Sequence, residues 1–165
     1  MSLEENKAII RSFYEALNKQ DLSLLDDLVA PVYVDHTYES EGPESGYLNE
    51  MYLEGLKQAL TIFYKGFPDW HITIEDIIAE GDKVWIRFKA TGTHTGEYHG
   101  LAPTGKKITE TGVDILRIVD GKVVEGWRVH DHLHYFKQLG VIEYKGFPDE
   151  VTALNSHSAI RTSFE

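Results

Sequence analysis

The hydrophobic pattern of this chain changes its period at Pro68, and that change restricts the fold more than any other feature of the sequence. Before Pro68 the apolar residues recur three and four positions apart, which is typical of amphipathic helices. After it, apolar and polar residues alternate, most clearly over residues 84–90, and Asp120-Gly121 between two apolar runs predicts a two-residue hairpin turn. Helices followed by strands predict an α+β domain, with three N-terminal helices packed on one face of a curved antiparallel sheet.

Local signals set the ends of the predicted elements. Ser2 and Glu5 fit a capping box at the start of the first helix, and Asp21 can cap a short second helix that Pro31 ends. A third helix is predicted over residues 47–63. The last strand is predicted to continue through residue 135.

Size and composition narrow the class of protein. The 165 residues suffice for one domain, which we expect over residues 1–143, followed by a polar tail over residues 144–165. The absence of cysteine excludes disulfides, thiolate metal sites and cysteine nucleophiles. The formal net charge of -11 disfavours binding to nucleic acids and anionic membrane surfaces. The acidic start and the lack of a long apolar run predict a cytoplasmic protein.

The strand pattern near residue 131 singles out one carboxylate. Regular alternation places Asp131 on the same face as Val129, Trp127 and Val123, so this face is predicted to point inward. Burial makes a carboxylate a better proton acceptor, which suits a general base that removes a proton next to a carbonyl. An equally acceptable interpretation is a buried Asp131 that is satisfied by backbone donors or by Arg117. Arg117 shares this face only if the hairpin contains a bulge.

Three histidines at alternate positions, His130, His132 and His134, form the strongest rival signal. Alternate residues of a strand share a face and neutral imidazoles bind metals, so a metal-dependent enzyme stays open. The first and third lie about 13 Å apart on a regular strand, which favours solvent-facing or interface histidines instead. His36 and His94 are further candidates for the site, with a structural role as the alternative.

No cofactor motif is convincing, and we expect no cofactor. The segment GLAPTGK (residues 100–106) has the spacing of a phosphate loop, but Lys107 follows where the motif requires Ser or Thr. A strand also follows where the motif requires a helix. The sequence contains no nucleotide-binding fingerprint, no flavin-binding fingerprint and no G-x-S-x-G nucleophile motif.

Taken in order, the motifs of this chain resemble those of the SnoaL-like polyketide cyclases, also called ester cyclases, of the nuclear-transport-factor-like superfamily. The resemblance extends over about residues 5–141. The matching segments are VDH (34–36), GFPD (66–69), IEDIIAEGD (74–82), GTHTG (92–96), GLAPTGK (100–106), RIVDGKVVE (117–125), WRVHD (127–131) and QLG (138–140).

The resemblance implies a cone (a cystatin-like α+β barrel) of three helices and a strongly curved sheet around a deep pocket. It implies an enzyme of the lyase or isomerase type, which closes a ring in a polyketide methyl ester by intramolecular aldol condensation without metal or organic cofactor. It assigns the acid/base role to Asp131, places His36 near the pocket, and implies a homodimer or homotetramer formed through the sheet.

The expected partner is a small apolar or polyketide-like molecule, with no nucleic acid or membrane partner. The residues predicted to contact it are Trp127, Val129, Phe67, Tyr14, Arg117 and His94. His36 is the second predicted catalytic residue beside Asp131, and either His36 or Arg117 could donate a hydrogen bond to developing oxygen charge. Two alternatives remain: a non-catalytic module that binds a small molecule in the same cone, and another lyase, isomerase or hydrolase of this fold.

Overall fold

Helices and strands of the protein follow one another in an α+β order, as the sequence predicts. The structure, a computed structural model, describes residues 1–36 and 50–143. In chain order the elements are α1 (Leu3–Lys19), α2 (Leu25–Leu28), β1 (Val29–Asp35), β2 (Glu50–Tyr52), α3 (Leu53–Gly66), β3 (His71–Glu80), β4 (Lys83–Thr93), β5 (Lys107–Val119), β6 (Lys122–His130) and α4 (His132–Leu139). A 3-10 turn, Leu22–Leu24, precedes α2. The tail predicted over residues 144–165 lies outside the described residues.

The six strands of the described region form one sheet in the order β2-β1-β6-β5-β4-β3. Neighbouring strands are antiparallel except β1 and β6, which run parallel. The prediction of a wholly antiparallel sheet is therefore wrong for this pair. The cause is topological, because the chain completes β2 to β5 before β6 returns beside β1 in the same direction.

The predicted start of the first helix is confirmed, whereas Asp21 caps a 3-10 turn ahead of α2, and Pro31 lies within β1 instead of ending the helix. The Glu5 N–H donates to Ser2 Oγ over 3.2 Å while the Ser2 N–H donates to Glu5 Oε2 over 2.6 Å, which completes the capping box. Asp21 Oδ1 accepts from the Ser23 N–H over 3.2 Å and caps the 3-10 turn. Of the helices in the described residues, none has the length and apolar content to cross a membrane.

Two helix predictions need correction. The third helix begins at Leu53 rather than at residue 47, because residues 50–52 form β2 beside β1; residues 47–49 of the prediction lie outside the described region. The last strand ends at His130, and α4 replaces its predicted continuation, because Asp131 caps a new helix there.

A β-bulge near the hairpin turn decides which face of β6 points inward. Asp120 and Gly121 have φ angles of 49° and 82°, as a tight two-residue hairpin turn requires. Ile118 pairs with Val123 but Arg117 pairs with Glu125, so Val124 is an extra residue on β6. One extra residue exchanges the two faces of the strand beyond it. Residues 126, 128 and 130 therefore face inward, and the prediction that Trp127 and Val129 do so is wrong.

The core lies between the inner face of the sheet and α1. Ile10, Phe13 and Leu17 of α1 pack against it, and each is less than a tenth exposed. Burial of each such side chain contributes about 1.5–3 kcal/mol to stability. On β5 the inward positions are occupied by Ile108, Glu110, Asp114, Leu116 and Ile118, so two carboxylates interrupt an apolar row.

Candidate active site

A cavity of about 930 Å³ lies between the inner face of the sheet and the helices α1, α3 and α4. Most of its wall is apolar, formed by Phe13, Leu17, Leu56, Leu60, Phe63, Trp70, Ile72, Phe88, Tyr98, Leu101, Tyr135, Phe136 and Leu139. Its charged and imidazole side chains other than His99, together with Tyr14, form what we name the polar cluster: Tyr14, Asp35, Glu110, Asp114, Arg128, His130 and His132. A few convergent polar groups in an apolar cavity are typical of a small-molecule site.

Asp114 on β5 lies at the centre of the polar cluster. Its side chain is 5% exposed, and it accepts hydrogen bonds from the Tyr14 hydroxyl at Oδ2 and from His130 Nε2 at Oδ1, the latter over 2.9 Å. Burial and the negative charge of Asp114 raise the pKa of Tyr14 well above its ordinary value. Tyr14 is therefore a permanent hydrogen-bond donor to this carboxylate.

Arg128 on β6 forms a buried ion pair with Asp35 on the neighbouring β1. Its Nη1 donates to Asp35 Oδ2, and the Tyr33 hydroxyl donates to the same oxygen over 3.4 Å. Burial lowers the pKa of Arg128, but its interactions with Tyr33, Asp35 and Asp114 outweigh burial and raise it. The guanidinium thus remains charged beside the cavity, with its Nε 3.9 Å from Asp114 Oδ2.

His130 lies two residues after Arg128 on β6, and its side chain is on the same inner face of the sheet. It lies opposite Gly112, where a Cβ would come within 2.8 Å of His130 Cδ2 and 2.9 Å of Phe88 Cε1. The absence of a side chain at residue 112 therefore makes the space for the imidazole. Burial lowers the pKa of His130, but the carboxylates of Asp114 and Glu110 outweigh it and raise the pKa to about 9.

Glu110 is the carboxylate of the polar cluster with the fewest close partners. Its Oε1 lies 3.7 Å from His130 Nδ1 and 3.7 Å from His132 Nε2, and its side chain is 11% exposed. Among the described residues its carboxylate accepts no hydrogen bond within 3.5 Å, whereas both oxygens of Asp114 are occupied. Glu110 therefore has oxygen lone pairs available to a molecule in the cavity.

The structure does not place Asp131 in the cavity. The residue follows the end of β6 and is exposed, and its Oδ1 accepts from the His134 N–H over 3.0 Å as the N-cap of α4. The prediction of a buried carboxylate on the last strand is wrong, because the strand ends one residue earlier and its faces are exchanged by the bulge at Val124.

His36, Trp127 and Arg117 meet on the outer face of the sheet, away from the cavity. The His36 ring stacks on Trp127 at 4.7 Å between centroids, and its Nε2 lies 2.8 Å from Glu125 Oε1. Arg117 Nε donates to Glu125 Oε2. Val129 is on this face as well and is 75% exposed. The inward position predicted for Trp127 and Val129 is wrong because the bulge exchanges the faces of β6. Arg117 shares the face of Trp127, as the sequence predicts for a hairpin with a bulge. His36 follows β1 and is expected near the pocket, but its contacts place it on this outer face.

Of the remaining predicted contacts, Tyr14 lines the cavity and Phe67 and His94 lie behind its wall. Phe67 is fully buried and packs against Phe63, Tyr98 and Tyr135. His94 stacks on Phe67 at 5.0 Å, and its Nδ1 accepts from the Thr104 N–H over 3.2 Å. Both support the aromatic wall without forming it.

Of the three predicted metal ligands, the structure brings two together and separates the third. His130 and His132 both line the cavity near Glu110, while His134 belongs to the first turn of α4 and does not line it. The prediction of all three on one strand is wrong, because only His130 belongs to a strand.

The sequence-based site lacks four residues of the polar cluster: Asp35, Glu110, Asp114 and Arg128. The sequence does contain one signal for two of them. Glu110 and Asp114 occupy inward positions of a strand whose other inward positions are mostly apolar. Burying a carboxylate destabilises the fold unless it is paired or hydrogen-bonded, so two carboxylates on a core face indicate bonding partners or a function. Arg128 gave no such signal, because its face depends on the bulge.

The sequence model of the SnoaL-like polyketide cyclase family matches residues 7–139. Among curated proteins, the chain is 27% identical over 139 residues to the aklanonic acid methyl ester cyclase DauD of Streptomyces sp. (strain C5), covering 80% of this chain and 80% of DauD. It is 29% identical over 112 residues to the aklanonic acid methyl ester cyclase DnrD of Streptomyces peucetius, covering 67% of this chain and 70% of DnrD.

Solved structures share the fold. AclR of Streptomyces galilaeus, a proposed hydroxylase, superposes with a TM-score of 0.74 at 32% identity over 86% of this chain and 100% of AclR. IdmH of Streptomyces antibioticus, a proposed polyketide cyclase, gives 0.71 at 34% identity over 82% of this chain and 98% of IdmH. Because the reactions assigned to these two proteins differ, similarity of fold alone does not select a reaction.

Proposed function

This chain belongs to the SnoaL-like polyketide cyclase family, and on that premise we propose that it closes a ring in a polyketide-type ester by intramolecular aldol addition. The observation that carries the proposal is the Glu110 carboxylate 3.7 Å from the His130 imidazole inside a cavity whose wall is otherwise mostly apolar. The curated relatives are named as aklanonic acid methyl ester cyclases, and a polyketide-type methyl ester is the substrate class proposed for this chain.

The cavity suits a flat, largely apolar substrate. Its volume of about 930 Å³ is at the upper end of the range for small-molecule sites, about 300–1,000 Å³. Phe63 and Trp70 both belong to its apolar wall, and their rings pack edge to face at 4.9 Å between centroids. Walls of this kind hold the two reacting carbons close together, which lowers the entropic cost of ring closure. We propose that the cone of the family, formed by the three N-terminal helices and the sheet, provides this enclosure.

We assign the proton transfers to Glu110 and His130. Glu110 removes the proton from the carbon between the ester and the ketone, and the resulting carbanion attacks the distant ketone carbon to form one C–C bond. His130 gives a proton to the new alkoxide, and Glu110 passes the abstracted proton to His130 across the 3.7 Å that separates them. The product is an isomer of the substrate. Because the negative charge of the carbanion is delocalised over two carbonyl groups, these reaction steps need no metal or organic cofactor.

The other charged residues of the polar cluster position this pair. Asp114 holds His130 through Nε2 and leaves Nδ1 directed to the Glu110 side. The Asp35–Arg128 pair keeps a positive charge 3.9 Å from Asp114, which offsets part of the negative charge of three carboxylates in one cavity.

The test is turnover of aklanonic acid methyl ester, or a simpler anthraquinone β-keto ester, followed by chromatography of the cyclised product. Glu110→Gln keeps the shape of the side chain and should lower kcat by about two to four decades. Asp131→Asn is the matched control and should retain turnover, because Asp131 lies outside the cavity. Normal turnover by Glu110→Gln contradicts the assignment, and ligand binding by the unmodified chain without turnover identifies it as a binding module instead.

We also propose that two copies pair through the outer face of the sheet. Trp85, Ile115 and Trp127 are in register across β4, β5 and β6, with Val113 and Val129 in the next row. Arg87 continues that row and Lys83 Nζ lies 4.4 Å from the Trp127 ring centroid, so the patch has an apolar centre with cationic side chains at its rim. Such a centre can pack against its own copy across a two-fold axis. Val129→Lys would add a charge beside the Trp85–Ile115–Trp127 row in each copy, so light scattering should report a homodimer or homotetramer for the unmodified chain and monomers for the variant.

A further inference from the structure

Glu110, His130 and His132 converge at the wall of the cavity where β5, β6 and α4 meet. Glu110 Oε1 lies 3.7 Å from His130 Nδ1 and 3.7 Å from His132 Nε2. One ligand atom from each residue lies within 4.8 Å of the others. We propose that these three side chains bind one divalent transition-metal ion, with its remaining coordination positions open to the cavity.

The spacing is close to that of a coordinated ion. Nitrogen and oxygen ligands of a tetrahedral zinc ion lie about 2.0–2.2 Å from the metal, and therefore about 3.3 Å from one another. The two 3.7 Å distances to Glu110 require only small movements of the side chains, and the two histidine ligand atoms, which lie within 4.8 Å of each other, would also have to approach. Two imidazoles and one carboxylate on one side of an ion are a ligand set that zinc and ferrous iron accept, leaving positions for water or substrate oxygens.

Asp114 supports His130 in the way that a metal site requires. The His130 Nε2–H donates to Asp114 Oδ1 over 2.9 Å, and Asp114 is itself fixed by the Tyr14 hydroxyl. A metal ion that displaces the Nδ1 proton while Nε2 keeps its own would meet a lone pair directed to the side where Glu110 lies. A carboxylate that orients a ligating histidine through its other nitrogen is a regular feature of protein metal sites.

The local charge favours a cation at this point. Carboxylates of Asp114 and Glu110 flank the His130 ring on both sides. The nearest cationic side chain in the cluster, Arg128, is paired with Asp35. A dication between Glu110 and His130 would therefore meet a surplus of negative charge rather than an uncompensated guanidinium.

His132 gives the ion a route from solvent. It is the first residue of α4, and its side chain is 56% exposed although it lines the cavity. His134 is two residues further along the same helix, so its side chain points in a different direction. The pair thus offers a ligand and a matched non-ligand of the same residue type in one helical turn.

The binding experiment uses the full chain freed of metal with EDTA. Zn²⁺ is titrated by calorimetry, and Co²⁺ is added in parallel because its visible absorption reports coordination number. We expect one ion per chain, with binding weakened more than about tenfold by His132→Ala. His134→Ala should bind as the unmodified chain does, and Glu110→Gln, which preserves side-chain volume, should reproduce the loss seen for His132→Ala.

The site is refuted if the unmodified, folded chain takes up no stoichiometric Zn²⁺ or Co²⁺. Equal loss of binding in His132→Ala and His134→Ala also refutes it, because the ion would then be held by other histidines. Circular dichroism of each variant checks that the helix is intact before binding is compared.

A second arm rests on the proposed function. An ion bound to Glu110 and His130 withdraws both from proton transfer, so Zn²⁺ should inhibit ring closure, with lower potency on His132→Ala relative to its own metal-free rate. If Zn²⁺ binds as described and the chain closes no ring, the metal site stands and the proposed function fails. If rings close and no metal binds, the reverse holds.

Discussion

Gly112 lies directly opposite His130 across the β5–β6 ladder, and this pairing is what admits the imidazole between Glu110 and Asp114. Gly112→Ala would place a methyl group 2.8 Å from His130 Cδ2 and 2.9 Å from Phe88 Cε1. We expect a loss of about 1–3 kcal/mol from overpacking, together with a marked fall in turnover as the ring moves.

Thr111→Ala is the matched control for that variant, since Thr111 is the exposed neighbour on the same strand. Urea unfolding and turnover of the two variants are compared. A Gly112→Ala protein as stable and as active as the control would show that the His130 position is not set by this contact.

Tyr14→Phe removes one hydrogen-bond donor from the buried Asp114 carboxylate and changes little else. A hydrogen bond to a charged group contributes about 1.5–3 kcal/mol, so the free energy of unfolding should fall by that amount. Tyr64→Phe is the control, because its hydroxyl donates to the neutral Leu17 carbonyl over 3.0 Å and should cost only about 0.5–1.5 kcal/mol. Similar losses in both variants would contradict a charged Asp114.

Arg128→Met breaks the buried pair with Asp35 and leaves two carboxylates without their cation. Breaking a buried ion pair on one side costs about 3–5 kcal/mol, which chemical denaturation would measure. Arg87→Met serves as the comparison, because Arg87 pairs with Glu75 and Asp76 at the exposed surface and its loss should be far smaller. An Arg128 variant no less stable than the Arg87 variant would mean that the guanidinium is dispensable.

The contribution of Glu125 to the free energy of unfolding should decrease in acid. Burial raises the pKa of Glu125, but the hydrogen bonds from Arg117 and His36 outweigh burial and lower the pKa below its ordinary value of 4.5. Because the folded pKa is the lower one, its stabilising contribution is complete above pH 4.5 and declines as the pH falls through the folded value. The stability difference between Glu125→Gln and the unmodified chain should therefore be large at pH 7 and shrink toward pH 3. A difference independent of pH would rule out this linkage.

Asp131 has a structural role that substitution can separate from catalysis. Asp131→Ala removes the N-cap of α4 and should cost about 0.5–2 kcal/mol, whereas Asn caps as well as Asp and should cost little. Both proteins should turn over substrate once folded. Loss of two decades of activity in Asp131→Asn, at unchanged stability, would return the proton-transfer role to Asp131.

Local signals in the sequence predict local structure well. Ser2, Glu5 and Asp21 act as caps where the pattern requires them, and Asp120-Gly121 forms the tight turn. These features depend on residues within four positions of each other, so sequence spacing alone determines them. The family resemblance, confirmed over residues 7–139, rests on the same kind of ordered local motif.

The site is less predictable because its geometry depends on long-range register. One extra residue at Val124 exchanges the faces of β6, and alternation counted from Val123 then gives the wrong side for every residue beyond it. The parallel pairing of β1 with β6 likewise leaves no trace in either strand alone, although it is what brings Asp35 to Arg128. A carboxylate near the end of β6 looked like the base, while the carboxylates that line the cavity belong to β1 and β5.

The parallel β1–β6 pairing also imposes an order on synthesis. Asp35 leaves the ribosome more than ninety residues before Arg128. For most of translation, therefore, the growing chain contains Asp35 but not the arginine with which it pairs. Contacts so distant in sequence form late in folding, because the entropy lost in closing a long loop precedes the stabilisation that the contact provides. Helix α1 and the β3–β4 hairpin can assemble earlier, whereas the charged wall of the cavity is among the last parts of the newborn protein to become complete.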